Sequence, residues 1–164
     1  MTDELRHVPA HGGETLCVLG DRVTLKGGLE QPDLVVAEVE VQPGAGTPLH
    51  SHASPEIFRL LAGELEFSTL AGDGERHRVH AIVGDVVSVP SGTPHGYANV
   101  GREPALVLAL FDRSLERFFR AVGVAPGAAP AGPPGPELIA QVLAAAQAHG
   151  IRILEQPPAP TLAD

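Results

Sequence analysis

Glycine and proline recur at short intervals through the first two thirds of the chain, at Gly27-Gly28, Pro43–Gly46, Ala62-Gly63, Ala71–Gly74, Gly84 and Pro90–Pro94. Such punctuation leaves room for short strands and none for a long helix. The intervening runs are rich in β-formers. Thr15–Leu19 and Asp21–Leu25 open the series, and Gly27-Gly28 is expected to break it. Leu34–Val41 (LVVAEVEV) alternates cleanly, with Val35, Ala37, Val39 and Val41 on one face and Glu38 and Glu40 on the other, as in a strand with one buried and one wet face. A strand start follows at Leu49–His52, and Ile57–Leu61 and Glu64–Leu70 flank a hairpin turn. Arg76–Val83, Val86–Val89, His95–Val100 and Ala105–Phe111 complete the set. About ten short strands predict an all-β antiparallel sandwich or small barrel over residues 1–112.

The remainder, 113–164, reads differently. Ser114 is placed to cap a helix in which Leu115, Phe118, Phe119 and Val122 share a face, ending at Gly123. Ala125–Pro136 is too rich in Pro and Gly for regular structure and reads as a linker. Glu137–His149 predicts a second helix with Leu138, Ile139, Val142, Leu143 and Ala146 on its apolar face, stopped by Gly150. Ile151–Leu154 offers a last short strand before a Pro-rich tail. The apolar face must cover something, either the barrel or a neighbouring subunit.

Two stretches carry chemistry: Gly44-x5-His50-x-His52-x3-Glu56-x6-Gly63 and Gly84-x5-Pro90-x-Gly92-x2-His95-x3-Asn99. Side chains two apart on a strand project together, so His50 and His52 form a pair. Glu56 rejoins them if Ala53-Ser54-Pro55 turns the chain correctly, and His95 arrives from another hairpin. Singly, each of these residues reads as surface polar. Together, in a Gly/Pro frame, three imidazoles and a carboxylate make a ligand set for one divalent ion among Fe, Mn, Ni, Cu, Co and Zn. Such a set leaves one or two coordination positions open for a substrate or dioxygen. Glycines 44, 63, 84 and 92 sit where the chain must turn, and Asn99 is a candidate to tie down the His95 loop through its amide.

Both stretches resemble the two conserved motifs of the cupin superfamily at every fixed position. The resemblance implies an antiparallel jelly-roll barrel and places His50, His52, Glu56 and His95 on the four metal-ligand positions. Leu19–Thr24 (LGDRVT) and Gly63–Phe67 (GELEF) are also similar to bacterial single-domain cupins described as quercetinase-like dioxygenases. One departure is Arg59, which follows Phe58 where those relatives commonly carry an aliphatic residue. Alternation from Glu56 sends Phe58 and Leu60 inward and Ile57, Arg59 and Leu61 outward, so Arg59 is expected to meet a partner subunit or the C-terminal segment rather than substrate. The resemblance further implies a homodimer.

Tyr97 shares a face with His95. It is a candidate to position a substrate or supply a proton, weighed against a packed barrel aromatic, while Glu56 is the candidate base. His7, His11, His77, His80 and His149 lack metal spacing and read as surface. Lys26 reads as solvated, and Cys17 as a small buried apolar residue. The expected activity is that of a metal-dependent oxidoreductase, a dioxygenase acting on a small aromatic or enol-bearing molecule. A non-oxidative isomerase or cyclase and a non-catalytic binding module are the alternatives. The net charge of −9 opposes nucleic acid and anionic membrane partners. The lone cysteine and the acidic start predict a cytoplasmic protein.

Overall fold

The computed structural model describes residues 5–129 and 134–155. The strands are β1 Glu14–Val18, β2 Asp21–Leu29, β3 Leu34–Val41, β4 Gly46–Ser51, β5 Glu56–Ala62, β6 Glu64–Leu70, β7 Arg76–Ile82, β8 Val86–Val89, β9 His95–Ala98, β10 Ala105–Phe111 and β11 Arg152–Ile153. They form two antiparallel sheets, one of six strands in the order β1-β2-β3-β10-β5-β8 and one of five in the order β11-β4-β9-β6-β7. The two sheets face each other over one apolar core in an all-β jelly roll. Helices α1 (Arg113–Val122) and α2 (Pro136–Ala148) follow it.

The alternation in β3 is realised in full. Val35, Ala37, Val39 and Val41 are buried, and Glu38 and Glu40 face out. β10 supplies the matching inner row of Ala105, Val107, Ala109 and Phe111, in register with β3 along its whole length. Burying these side chains is the main source of stability, at about 25 cal/mol per Å² of apolar surface.

Several expectations needed correction. Gly27-Gly28 does not end β2. The strand runs through to Leu29, and the register shift between Leu25 and Gly27 absorbs the irregularity as a bulge. Gly28 lies against β3 so closely that a Cβ there would sit 2.2 Å from the Leu34 carbonyl oxygen. Asp112, not Ser114, caps α1, its carboxylate accepting from the Ser114 amide. Lys26 is not a free surface lysine, because its Nζ donates to the carbonyls of Pro9, Ala10 and Gly12 at 3.3, 2.7 and 2.9 Å and so holds the N-terminal segment. Asn99 is buried, but it does not tie down the loop before His95. Its Nδ2 donates to the Val41 and Glu103 carbonyls at 2.9 Å each, and its Oδ1 accepts from Gly101 N–H at 2.9 Å. Asn99→Ala removes all three bonds at a dry site, and a loss of about 2–3 kcal/mol in urea unfolding is expected.

The linker includes a short 3-10 turn at Pro126–Ala128, and its residues 130–133 lie outside the described residues, as does the tail 156–164. On α2, Val142 and Ala146 are buried while Leu143 is exposed. β11 adds to the edge of the five-stranded sheet, with Ile153 opposite His50. The segment after the barrel therefore contributes to the wall that carries a candidate ligand. Among the described residues no helix is long and apolar enough to cross a membrane.

Candidate metal centre

The ligand residues come from three strands and the loop that joins two of them. His50 on β4 lies directly opposite His95 on β9, so the register of one strand pair brings two imidazoles together. His52 follows β4, and Glu56 opens β5 in the other sheet. The turn Ala53-Ser54-Pro55 does bring Glu56 inward, and its side chain is buried with those of His52 and His95. His50 is half-buried and marks the side on which the cluster meets solvent. One ligand atom from each of the four residues lies within 4.8 Å of the others.

Backbone carbonyls fix how the rings present themselves. Nδ1 of His50 is 2.8 Å from Pro48 O, Nδ1 of His52 is 2.9 Å from Ser54 O, and Nδ1 of His95 is 2.8 Å from Thr93 O. A carbonyl only accepts, so each Nδ1 must carry a proton, and each ring then turns its Nε2 inward. In each case the carbonyl is two residues from its histidine. Two further bonds lock the loops to each other and to the sheet. Gly92 N–H donates to His52 O at 2.8 Å, from a residue with φ of +76° that a side-chain-bearing residue rarely adopts. Thr69 Oγ1 donates to Pro94 O at 2.6 Å.

Two of the inward nitrogens lie against Glu56. Its Oε2 lies 2.8 Å from His95 Nε2 and 3.1 Å from His52 Nε2. The His95 contact is a hydrogen bond, whereas His52 Nε2 is out of line for one and is buried with no hydrogen-bond partner. Burial opposes ionisation of Glu56, but the two imidazoles outweigh it and hold the carboxyl at about 2. His50 is lowered to about 4, by burial first and then by the neighbouring His95. Burial also pushes His95 down, yet the Glu56 carboxylate and the Thr93 carbonyl more than offset this and raise it. The cluster therefore gathers three inward imidazole nitrogens and one negative charge in a dry place. An orphaned imidazole nitrogen there is a cost that a cation would remove. Ligand atoms that share one ion at about 2.1 Å stand no more than about 4.2 Å apart, against a spread here of up to 4.8 Å. The observed spread needs only a small contraction to match. With no thiolate in the set, the donors suit first-row divalent ions over soft ones.

The next row of inward side chains is aromatic. Phe58 is two residues from Glu56, Tyr97 is two from His95, and Phe67 pairs with Tyr97 across β6 and β9. Their ring centroids are 5.3, 5.7 and 6.0 Å apart, forming an edge-on triangle beside the ligands. Burial and the charges of Asp21 and Glu56 raise the Tyr97 hydroxyl well above its ordinary range. It therefore keeps its proton and is a hydrogen-bond donor rather than a base. The alternation of Glu64–Leu70 marks Phe67 and Thr69 as inward residues, but their proximity to His95 and Tyr97 comes from strand pairing that a single sequence does not display. His77 shares the row of Thr69 yet is exposed, and His80 is exposed and bonded to Glu64 at 2.8 Å. Cys17 sits on β1, bridged to Val124, and takes no part in the cluster.

Comparison with known proteins agrees with this arrangement. Residues 37–111 match the family model described as a cupin domain. The chain is 35% identical over 102 residues to dimethylsulfoniopropionate lyase DddQ of Ruegeria pomeroyi, covering 61% of this chain and 45% of that protein. It is 34% identical over 83 residues to acireductone dioxygenase of Leptospira biflexa, covering 47% and 46% respectively. An oxalate oxidase structure superposes with a TM-score of 0.51 at 25% identity, over 57% of this chain and 51% of that one. The chain spans less than half the length of these two curated relatives. The matched residues contain all four converging ligands and the strands that hold them, and residues 37–111 carry a cupin domain.

Proposed function

We propose that the chain is a metal-dependent oxidoreductase, a dioxygenase acting on a small aromatic or enol-bearing molecule of flavonol or polyketide type. The observation that carries this reading is the convergence of three carbonyl-oriented imidazoles and one ionised carboxylate beside an aromatic wall. A divalent ion bound by His50, His52, Glu56 and His95 supplies Lewis-acid and redox chemistry. The chain's own residues supply the rest. The Pro48, Ser54 and Thr93 carbonyls keep the imidazoles aimed. Phe58, Phe67 and Tyr97 offer an apolar, water-excluding aromatic wall that suits an aromatic or conjugated substrate. Glu56, held ionised, is placed to accept a proton from an enol or phenol, and the Tyr97 hydroxyl to donate a hydrogen bond to an oxygen of the substrate. The likeness to acireductone dioxygenase supports the oxidative reading.

A second reading rests on the likeness to a lyase. With the same residues, Glu56 would abstract a proton and the reaction would proceed without dioxygen, as in an elimination, isomerisation or cyclisation. Oxygen-electrode assays with flavonols and enolised diketones separate the two, using protein loaded in turn with Fe(II), Mn(II), Ni(II), Cu(II), Co(II) and Zn(II). The oxidative reading predicts ion-dependent oxygen uptake matched by substrate loss. Product formed at the same rate under anaerobic conditions would replace it with the lyase or isomerase reading. Tight binding with no product under either condition would reduce the protein to a binding module.

A further inference from the structure

The two sheets diverge along one edge, and that edge leads to the ligand cluster. β7 ends the five-stranded sheet and β8 ends the six-stranded one, and the two are not paired with each other. At one end the turn between them is fastened to β5. Leu60 N–H donates to Asp85 O at 3.1 Å, and Gly84 N–H donates to Leu60 O at 3.0 Å. Away from that clasp a cleft opens between the sheets, floored by Phe58 and Phe67 with ring centroids 5.3 Å apart. Strand register sets one valine outside each ring, Val87 beside Phe58 and Val79 beside Phe67. Residues directly opposite on paired strands share a face, so Val79 lies on the inner side with Phe67. Phe67 and Ala81 are buried there, yet Val79 is 53% exposed. The opposite sheet therefore does not cover it. The same register carries the cleft to the ligands. One row of the five-stranded sheet runs His50, His95, Thr69, His77, and β8 sets Val89 beside Glu56. His77 thus stands on the ligand face, two strands and about 10 Å from His95. The Thr69 hydroxyl between them is committed to Pro94 O. His77 is exposed and makes no hydrogen bond among the described residues, whereas His80, on the outer face of the same strand, is bonded to Glu64. On the far flank β11 extends the sheet, with Ile153 opposite His50.

We propose that substrate reaches the ion through this cleft, and that His77 holds an acceptor oxygen of the substrate, across one ring from the enol or phenol that binds the ion. The inference rests on the metal-centred reading of the site and adds the shape of the molecule it takes. Spacing sets that shape. An ion over His95 and an imidazole over His77 are about 10 Å apart. A metal–oxygen contact of about 2.1 Å and a hydrogen bond of about 2.8 Å leave about 5–6 Å between them. One six-membered ring with an oxygen at each end spans that gap, and a second fused ring does not fit in line. Val79, Val87 and Phe58 give the ring apolar contact. An imidazole carries an N–H in either tautomer, so His77 offers a donor to the distal oxygen.

Anaerobic titration of the Co(II)-loaded full chain with catechol and with 3,4-dihydroxybenzoate, followed by the visible absorption of the ion, tests this without turnover. Both probes offer the same chelating diol, and only the second carries an acceptor across the ring. The wild type is expected to bind the second more tightly. His77→Ala should lower the ratio of the two affinities about 10-fold, the loss of one hydrogen bond to a charged group. Val79→Trp, which fills the cleft, should weaken both probes about 10-fold or more while Co(II) content stays that of the wild type. Both side chains are exposed, and unchanged melting temperatures would show that the variants fold. A ratio unchanged by His77→Ala would overturn the proposal. So would full affinity for both probes in Val79→Trp, or a wild type that binds neither. The oxygen-uptake assay is read separately: discrimination that depends on His77 in a chain that consumes no oxygen would retain this inference and remove the oxidative reading.

Discussion

His95→Ala is expected to leave purification with less than about a tenth of the metal that the wild-type chain retains, and to bind added ion at least about 100-fold more weakly. Outer-shell changes alone typically cost 10–100-fold in affinity, and this change removes a ligand. His95 also has a special place in the cluster. It lies directly opposite His50 in the strand register and makes the one hydrogen bond between an imidazole and the Glu56 carboxylate. Without it, His50 and His52 remain with a carboxylate that has lost its best-aligned partner. A buried, ionised carboxylate in that position is costly, so the variant should also unfold more easily without metal. Elemental analysis after dialysis, followed by calorimetric titration with Mn(II) or Zn(II), reads the first effect. His80→Ala is the control, because His80 is exposed and bonded to Glu64, and it should retain full metal content. Equal metal in wild type and His95→Ala would remove the premise of every enzymatic reading of this site.

How far such a site can be read from sequence depends on the distance over which its parts interact. His50 and His52 follow from strand alternation alone, and alternation from Glu56 correctly sends Phe58 and Leu60 inward and Arg59 outward. The glycines at 44, 63, 84 and 92 all adopt positive φ, so their local conformational demand was visible in residue type. What sequence spacing does not display is cross-strand register. The pairing of Thr69 with His95 and of Phe67 with Tyr97 joins residues far apart in the chain, and nothing within either segment specifies its neighbour. Local chemistry can also mislead. Gly27-Gly28 reads as a break, yet the bulge in β2 converts it into close contact with β3. Asp112 and Ser114 are both good helix caps, and the choice between them depends on where β10 ends.

Asp21 is the clearest case of a residue whose surroundings only the fold reveals, and its consequence is thermodynamic. In the sequence it opens the expected strand Asp21–Leu25, and nothing there marks its carboxyl as buried. In the structure it opens β2 on the inner face with Val23 and Leu25 and is buried, 8% exposed. Its hydrogen bond from Gln42 N–H, at 3.4 Å, is long. Burial pushes its carboxyl up to about 7, and the nearby Glu40 adds to the rise that the Gln42 amide opposes. The folded chain thus holds a proton on Asp21 that the unfolded chain releases near pH 4. Stability from this group is complete below about pH 4 and is lost as pH rises toward 7, at about 1.4 kcal/mol per pH unit and about 4 kcal/mol in all. Asp21→Asn cannot ionise and should abolish that slope, at the cost of about 1–3 kcal/mol for burying an amide N–H₂ without a partner. The variant is therefore expected to be less stable than wild type near pH 4 and more stable near pH 8. Urea unfolding at both values, with a chelator present so that neither protein holds metal, gives the comparison. The histidine cluster and Glu56 titrate alike in the two chains, so their contributions cancel in the difference. A stability difference that does not change between the two pH values would show that Asp21 is ionised in the folded state, and that the barrel interior at this end admits enough water to solvate the charge.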